Sequence, residues 1–343
     1  PPRSTLFPYT TLFRSASTLF GAVSGSAIAS ASAMGSTLIP LMRERGYDSD
    51  YAVNVTVTAA IVGLLIPPSH NMIIYSAASG IGVSISDLFL AGVVPGLLAA
   101  TLLGLVAWLV ARRRNYPTGT FPGFRALFSA ALYAMPGIMT AVIIMGGILS
   151  GIFTPTESSA IAVVYTILVG ALVYRSLGLR KFLEAVTQSV RVTAMVLMII
   201  GSATAFGYAL AIMEAPAQLA GLITALTDNP ILVLLIINVA LLLLGTFMDM
   251  SPLIVITTPI LLPVAMQVGV DPVHFGIVMM LNLGIGLVTP PVGSVLFVGA
   301  AVAKIKIEQA VRSIGPFYLA LLVTLLLVTY IPALSLGLPA MVK

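Results

Sequence analysis

The sequence predicts an all-α polytopic membrane protein whose two inverted repeats each supply a re-entrant helical hairpin and a proline-broken helix. Three observations lead there. Only 8% of the residues are charged while 59% are apolar, with a mean hydropathy of +1.11, against roughly 25% charge in a soluble domain. Residues 51–86, 88–111, 126–156, 192–213, 229–248, 250–270, 272–303 and 313–342 contain no Asp, Glu, Lys or Arg, and about 20 apolar residues suffice to span a bilayer as a helix. Finally, residues 35–70 lie over residues 258–293 without a gap, and nine of the 36 pairs are identical. Those nine include Pro40/Pro263, Gly46/Gly269, Asp48/Asp271, Gly63/Gly286, Pro67/Pro290 and Pro68/Pro291.

Helices follow from the solvent. In hydrocarbon every backbone N–H and C=O must be satisfied within the chain, and a helix does this segment by segment. The ten-residue alternation of a membrane barrel is absent. The net charge of +5 resides in short loops, where it sets orientation and gives no reason to expect a nucleic-acid partner. With no cysteine and two isolated histidines, His70 and His274, no transition-metal ligand pattern exists.

Residues 1–15 carry the repeated triplet Thr-Leu-Phe, at 5–7 and 11–13 and again at 18–20. They resemble a translated sequencing adaptor and are expected to be non-native, with early spans missing upstream. Residues 16–86 are expected to hold the first hairpin and broken helix, and 87–229 connecting scaffold helices. Residues 230–303 then hold the second hairpin and broken helix, and 304–343 a C-terminal scaffold helix. Placing Arg112, Arg113 and Arg114 in the cytoplasm puts Arg43 and Arg45 inside and Asp87, Glu157, Glu214 and Asp271 outside. Spans follow at 133–152, 158–174 and 189–213, and 215–227 reads as an interfacial or re-entrant helix. Five spans then separate the repeats, which makes them inverted.

Each repeat pairs a small polar hairpin tip with a double-proline break. The first has Ser24, Gly25 and Ser26 with Pro67, Pro68 and Ser69. The second has Asp249 and Ser251 with Thr289, Pro290, Pro291 and Gly293. Two adjacent prolines delete two backbone donors, and unwound carbonyls at membrane depth are tolerated only in protein or against a cavity. Paired interruptions in two halves mark the binding site of a secondary transporter, where carbonyls and half-helix ends coordinate a cation and half-helix N-termini face an anion. Neutral oxygens in both repeats point to sodium as the coupling ion, with no cofactor. Asp249, Asn71 and Thr257 are assigned to the substrate path, Asp249 because an intramembrane acid is costly unless functional; its alternative is a helix cap. Thr154-Pro155-Thr156-Glu157 reads as a capping box, His274 as a residue at a helix start, and Arg191 as a snorkelling residue at another.

These stretches resemble the large membrane subunit of the tripartite ATP-independent periplasmic (TRAP) transporters. The residues that carry the likeness are Gly21 through Gly35, Ile39-Pro-Leu-Met, Gly46-Tyr-Asp, Ile66-Pro-Pro-Ser69, Leu88-Phe89 with Gly92 and Pro95-Gly96, and Phe153-Thr-Pro-Thr-Glu157. The second half adds Gly245-Thr-Phe-Met-Asp249, Gly269 through Gly276 and Thr289-Pro-Pro-Val-Gly293. The resemblance implies an elevator-type, sodium-driven importer of C4-dicarboxylates, sialic acid or other sugar acids, in the bacterial inner membrane. Its implied partners are a small four-helix membrane subunit, a periplasmic substrate-binding protein, membrane lipid and the organic-acid substrate. A stand-alone sodium–carboxylate symporter is the competing expectation. An intramembrane enzyme is not expected, because no catalytic dyad is present.

Overall fold

The computed structural model describes residues 26–117, 124–175, 177–214, 218, 221 and 229–342. They divide into two compact units, one comprising the described residues up to 117 with those from 204 onward, the other 124–203. All described regular structure is helical. Among the described residues, four helices are long and apolar enough to cross a membrane, five if one bent pair counts as a span. Ser24, Gly25, the adaptor-like stretch and nearly all of 215–227 lie outside the described residues.

The first repeat comprises α1 (Ala27–Glu44), α2 (Ser49–Val62) and α3 (His70–Ala78), followed by α4 (Ile85–Arg113). Ser26 caps α1 by accepting the Ala29 N–H. The helix ends where Gly46 adopts φ +83°. Gly46 donates to the Arg43 carbonyl and Tyr47 to that of Met42, a left-handed closure that glycine adopts at little cost.

In the second unit, α5 (Phe124–Leu149) packs on α6 (Pro155–Leu168), which continues as a π-turn over Val169–Val173. Thr154 and Glu157 form the expected capping box. Tyr165 donates to the Pro136 carbonyl at 3.0 Å. α7 runs over Leu179–Ile212 as one helix. It begins well before the expected span 189–213, so Arg191 lies inside it and not at its start. The reason is local: Glu184 pairs with Arg180 at i,i+4, and no proline interrupts the stretch.

The second repeat comprises α8 (Pro230–Gly245), α9 (Met250–Gln267), α10 (Pro272–Gly286) and α11 (Ser294–Ala303). With the 223-residue offset, α9 begins and ends where α1 does. Gly269 again adopts φ +83°, donating to Met266 while Val270 donates to Ala265. The chain continues through α12 (Ile307–Ser313), α13 (Gly315–Tyr330) and α14 (Ala333–Val342). The single expected C-terminal span is therefore two helices, because Pro332 has no N–H with which to continue α13.

Shared polar contacts replace hydrophobic drive between helices in lipid. Asn282 of α10 donates to Asn238 Oδ1 of α8 at 2.8 Å, and Asn238 donates to Thr329 Oγ1 of α13 at 3.0 Å. His274, buried in the first turn of α10, lies 2.6 Å from Ser335 Oγ and 3.2 Å from the Thr329 carbonyl. It sits at a helix start as expected, but it ties α10 to α13 and α14.

At the end of α4, Arg114 reaches Asp48 at 3.0 Å and Asp50 at 3.1 Å, and its guanidinium also reaches Tyr116. Burial pushes the Asp50 carboxyl up, but Arg114, Ser313 and the Tyr51 N–H outweigh it and hold it below the usual range. A depressed carboxyl stabilises the fold above its unfolded value of about 3.9, and that contribution is lost as pH falls through the folded value. Arg114→Gln is therefore expected to cost about 1 kcal/mol at neutral pH. The difference from wild type should shrink below roughly pH 4, as read from melting curves across pH.

Candidate functional site

The two broken helices run antiparallel. At one end Tyr75 of α3 donates to the Pro272 carbonyl at the start of α10, and a Cβ on Gly276 would lie 2.6 Å from the Tyr75 ring. Midway, a Cβ on Gly284 would lie 2.9 Å from Ile61. Beyond the breaks, Gly299 of α11 meets Val57 and Val53 of α2, and Val302 faces Gly35 of α1. Packing is reciprocal: α1 lies on α11, and α9 lies on α3. Such a two-way exchange is what a two-fold relation between halves produces. Arg114 sits beside the start of α2, at the opposite end from Tyr75, so the two broken helices point in opposite directions.

At the first break, residues 63–69 leave the helix. Helical geometry would pair the carbonyls of Gly63 and Leu64 with the N–H groups of residues 67 and 68, which are prolines. Among the described residues, no donor reaches those two carbonyls. Pro67 and Ser69 are buried, and the Ser69 Oγ has no partner among the described residues. A buried, unpaired hydroxyl costs about 1–3 kcal/mol, so the break carries neutral oxygens at a cost the described residues leave standing. Oxygen-only donors suit a hard cation.

The second break, residues 287–293, is closed differently. Gly286 accepts from the Thr289 N–H at 2.9 Å, Leu287 from Val295 at 3.0 Å, and Val288 from the Tyr318 hydroxyl. Thr289 donates its own hydroxyl to Ile285 at 2.7 Å. Pro290 is half-buried and Pro291 exposed, while Gly293 turns the chain at φ +44° into α11. Both prolyl pairs, Pro67–Pro68 and Pro290–Pro291, have cis bonds.

Ser251, in the first turn of α9, donates to Asn71 Oδ1 at 3.2 Å, just past the first break. The structure thus joins the second tip to the first repeat's α3, whereas the sequence reading grouped each tip with its own break. Asp249 is the N-cap of α9 by position, yet its exposed side chain makes no capping bond. Thr257 is buried and donates within its helix to Leu253. Ser26 is occupied as a cap. Two residues escaped the sequence reading. Ser294, whose Oγ is buried without a partner among the described residues, is the 223-offset counterpart of Asn71. Tyr318 lies outside the duplicated segment and carries no signal in sequence.

An all-α, multi-pass chain with facing, oppositely directed helix breaks is the framework of a membrane permease. Residues 7–334 match the family described as tripartite ATP-independent periplasmic transporter, DctM component, and the chain belongs to that family. It is 45% identical over 326 residues to the protein YgiK of Salmonella typhimurium, covering 95% of this chain and 74% of that one. It is 42% identical over 321 residues to the C4-dicarboxylate TRAP transporter large permease protein DctM of Pseudomonas aeruginosa, covering 94% and 75%. Over 324 residues it is 40% identical to the sialic acid TRAP transporter large permease protein SiaM of Vibrio cholerae, covering 94% and 75%. It is thus a transporter subunit of the inner membrane.

Proposed function

We propose that the chain imports small organic acids as the large permease of a TRAP transporter, with sodium as the coupling ion. The observation that supports this reading is the first break, where two carbonyls and the Ser69 hydroxyl beside the antiparallel α10 find no partner among the described residues. The names of its relatives support a substrate drawn from C4-dicarboxylates, sialic acid or related sugar acids. The word tripartite supports a small membrane subunit and a periplasmic binding protein as partners.

In this reading Gly63, Leu64, Ser69 and the Ser24–Ser26 tip hold one cation, and the Ser251 tip with Thr289–Gly293 holds another. Asp249, Asn71 and Thr257 line the path of the acid. The hairpins and broken helices of 16–86 and 230–303 move as the transport part, and residues 87–229 and 304–343 act as scaffold. Binding before movement makes inward flux follow the sodium gradient.

Ser69→Ala separates the ligand role from a packing role. Removing an unpaired hydroxyl is expected to raise the melting temperature of the sodium-free protein. It should also raise the sodium concentration for half-maximal uptake about three- to tenfold, and alanine at Ser26 or Ser251 should move that concentration in the same direction. The assay is uptake by the complete transporter in proteoliposomes with its binding protein. Uptake that ignores sodium would defeat the coupling reading, and uptake that needs no binding protein would favour a stand-alone symporter.

A further inference from the structure

The two breaks are not chemically equal. Aligned by the 223-residue offset, the carbonyls of Gly286, Leu287 and Val288 correspond to those of Gly63, Leu64 and Leu65. Protein donors reach all three in the second repeat, and none among the described residues reaches the first set. Two of the second-repeat bonds come from nearby backbone, as helix ends commonly supply. The third comes from Tyr318 of α13, thirty residues on. The same offset carried forward makes Pro95 of α4 the counterpart of Tyr318. Proline has no hydroxyl, and Gly92 of α4 instead packs closely on Leu65, where an added Cβ would lie 2.3 Å from its carbonyl oxygen.

We infer that Tyr318 is a positioning residue that sets the cation affinity of the second break, its hydroxyl competing with sodium for the Val288 carbonyl. The inference rests on the sodium reading above and deepens it. A carbonyl that donates electron density to a hydroxyl proton is a poorer ligand until that bond opens. The first break therefore fills at lower sodium than the second. Filling the second requires Tyr318 to let go, which links α13 to the α10–α11 break.

The test is Tyr318→Phe in the complete transporter, reconstituted with its binding protein. The ring stays and only the competing donor leaves. The sodium concentration for half-maximal uptake should fall about fivefold, the worth of one neutral hydrogen bond. Incorporating 3-fluorotyrosine at 318, which keeps the fold and makes the hydroxyl a stronger donor, should raise it. This second measurement decides the matter if Tyr318→Phe does not fold. An unchanged sodium requirement with a lowered melting temperature assigns Tyr318 a packing role and overturns the inference alone. A raised requirement in Tyr318→Phe makes the hydroxyl a ligand and overturns it as well. Sodium-independent uptake by the wild type sinks both this inference and the reading beneath it.

Discussion

Gly286→Val is expected to abolish uptake and to cost about 3 kcal/mol of stability, the upper end of ordinary overpacking. Gly286 ends α10 where it crosses Gly245 at the end of α8. A Cβ at 286 would stand 2.6 Å from Gly245 Cα and 2.7 Å from its carbonyl oxygen. The obstacle is backbone, so no rotamer change relieves it. α8 and α10 would separate, and the Asn282–Asn238–Thr329 chain crosses the same interface. Small residues at such crossings let helices approach in lipid, where apolar burial supplies no drive. Gly337→Ala is the control: nothing lies within 4 Å of a Cβ there, so the change should be neutral or add about 0.5–1 kcal/mol. Melting curves of the purified protein in nanodiscs measure both. A Gly286→Val protein as stable as wild type would refute the close crossing.

The second large effect concerns chemistry. Pro67→Ala with Pro68→Ala restores the N–H groups that helical geometry would aim at the Gly63 and Leu64 carbonyls. If each carbonyl contributes about 1.4 kcal/mol to sodium binding, the pair is worth on the order of a hundredfold in affinity. Sodium-driven uptake should fall accordingly while the melting temperature holds or rises, because two backbone bonds are gained. The corresponding change at Pro290 and Pro291 should do less, since the Gly286 and Leu287 carbonyls already have donors. Sodium dependence measured by titrating uptake in both double variants gives the comparison. Equal losses in the two would argue that the breaks are equivalent and that the closure of the second is incidental.

Much of the architecture was legible in sequence because its causes are local. Pro67, Pro68, Pro290 and Pro291 end helices wherever they stand. Gly46 and Gly269 turn the chain after α1 and α9 through the same left-handed geometry. The charge-free runs mark the apolar helices because a charge in lipid is expensive wherever the helix packs. The offset of 223 residues even placed the ends of α1 and α9 in register. The charge-free runs misplace the start of α7 before Arg191 and the division at Pro332, although both causes are local, because a helix can begin ahead of such a run or stop within it.

By itself, then, the sequence determined that this is a helical membrane protein with two related, proline-split elements, since solvent and backbone chemistry act residue by residue. Tertiary structure alone decided which groups satisfy which. Nothing in the chain order brings Ser251 to Asn71, Arg114 to Asp50 or Tyr318 to Val288, because those meetings depend on how antiparallel helices cross. A carbonyl freed by proline is written in the sequence. Whether the fold then supplies a donor, as at Leu287, or offers none among the described residues, as at Gly63 and Leu64, is settled only by what packs against it.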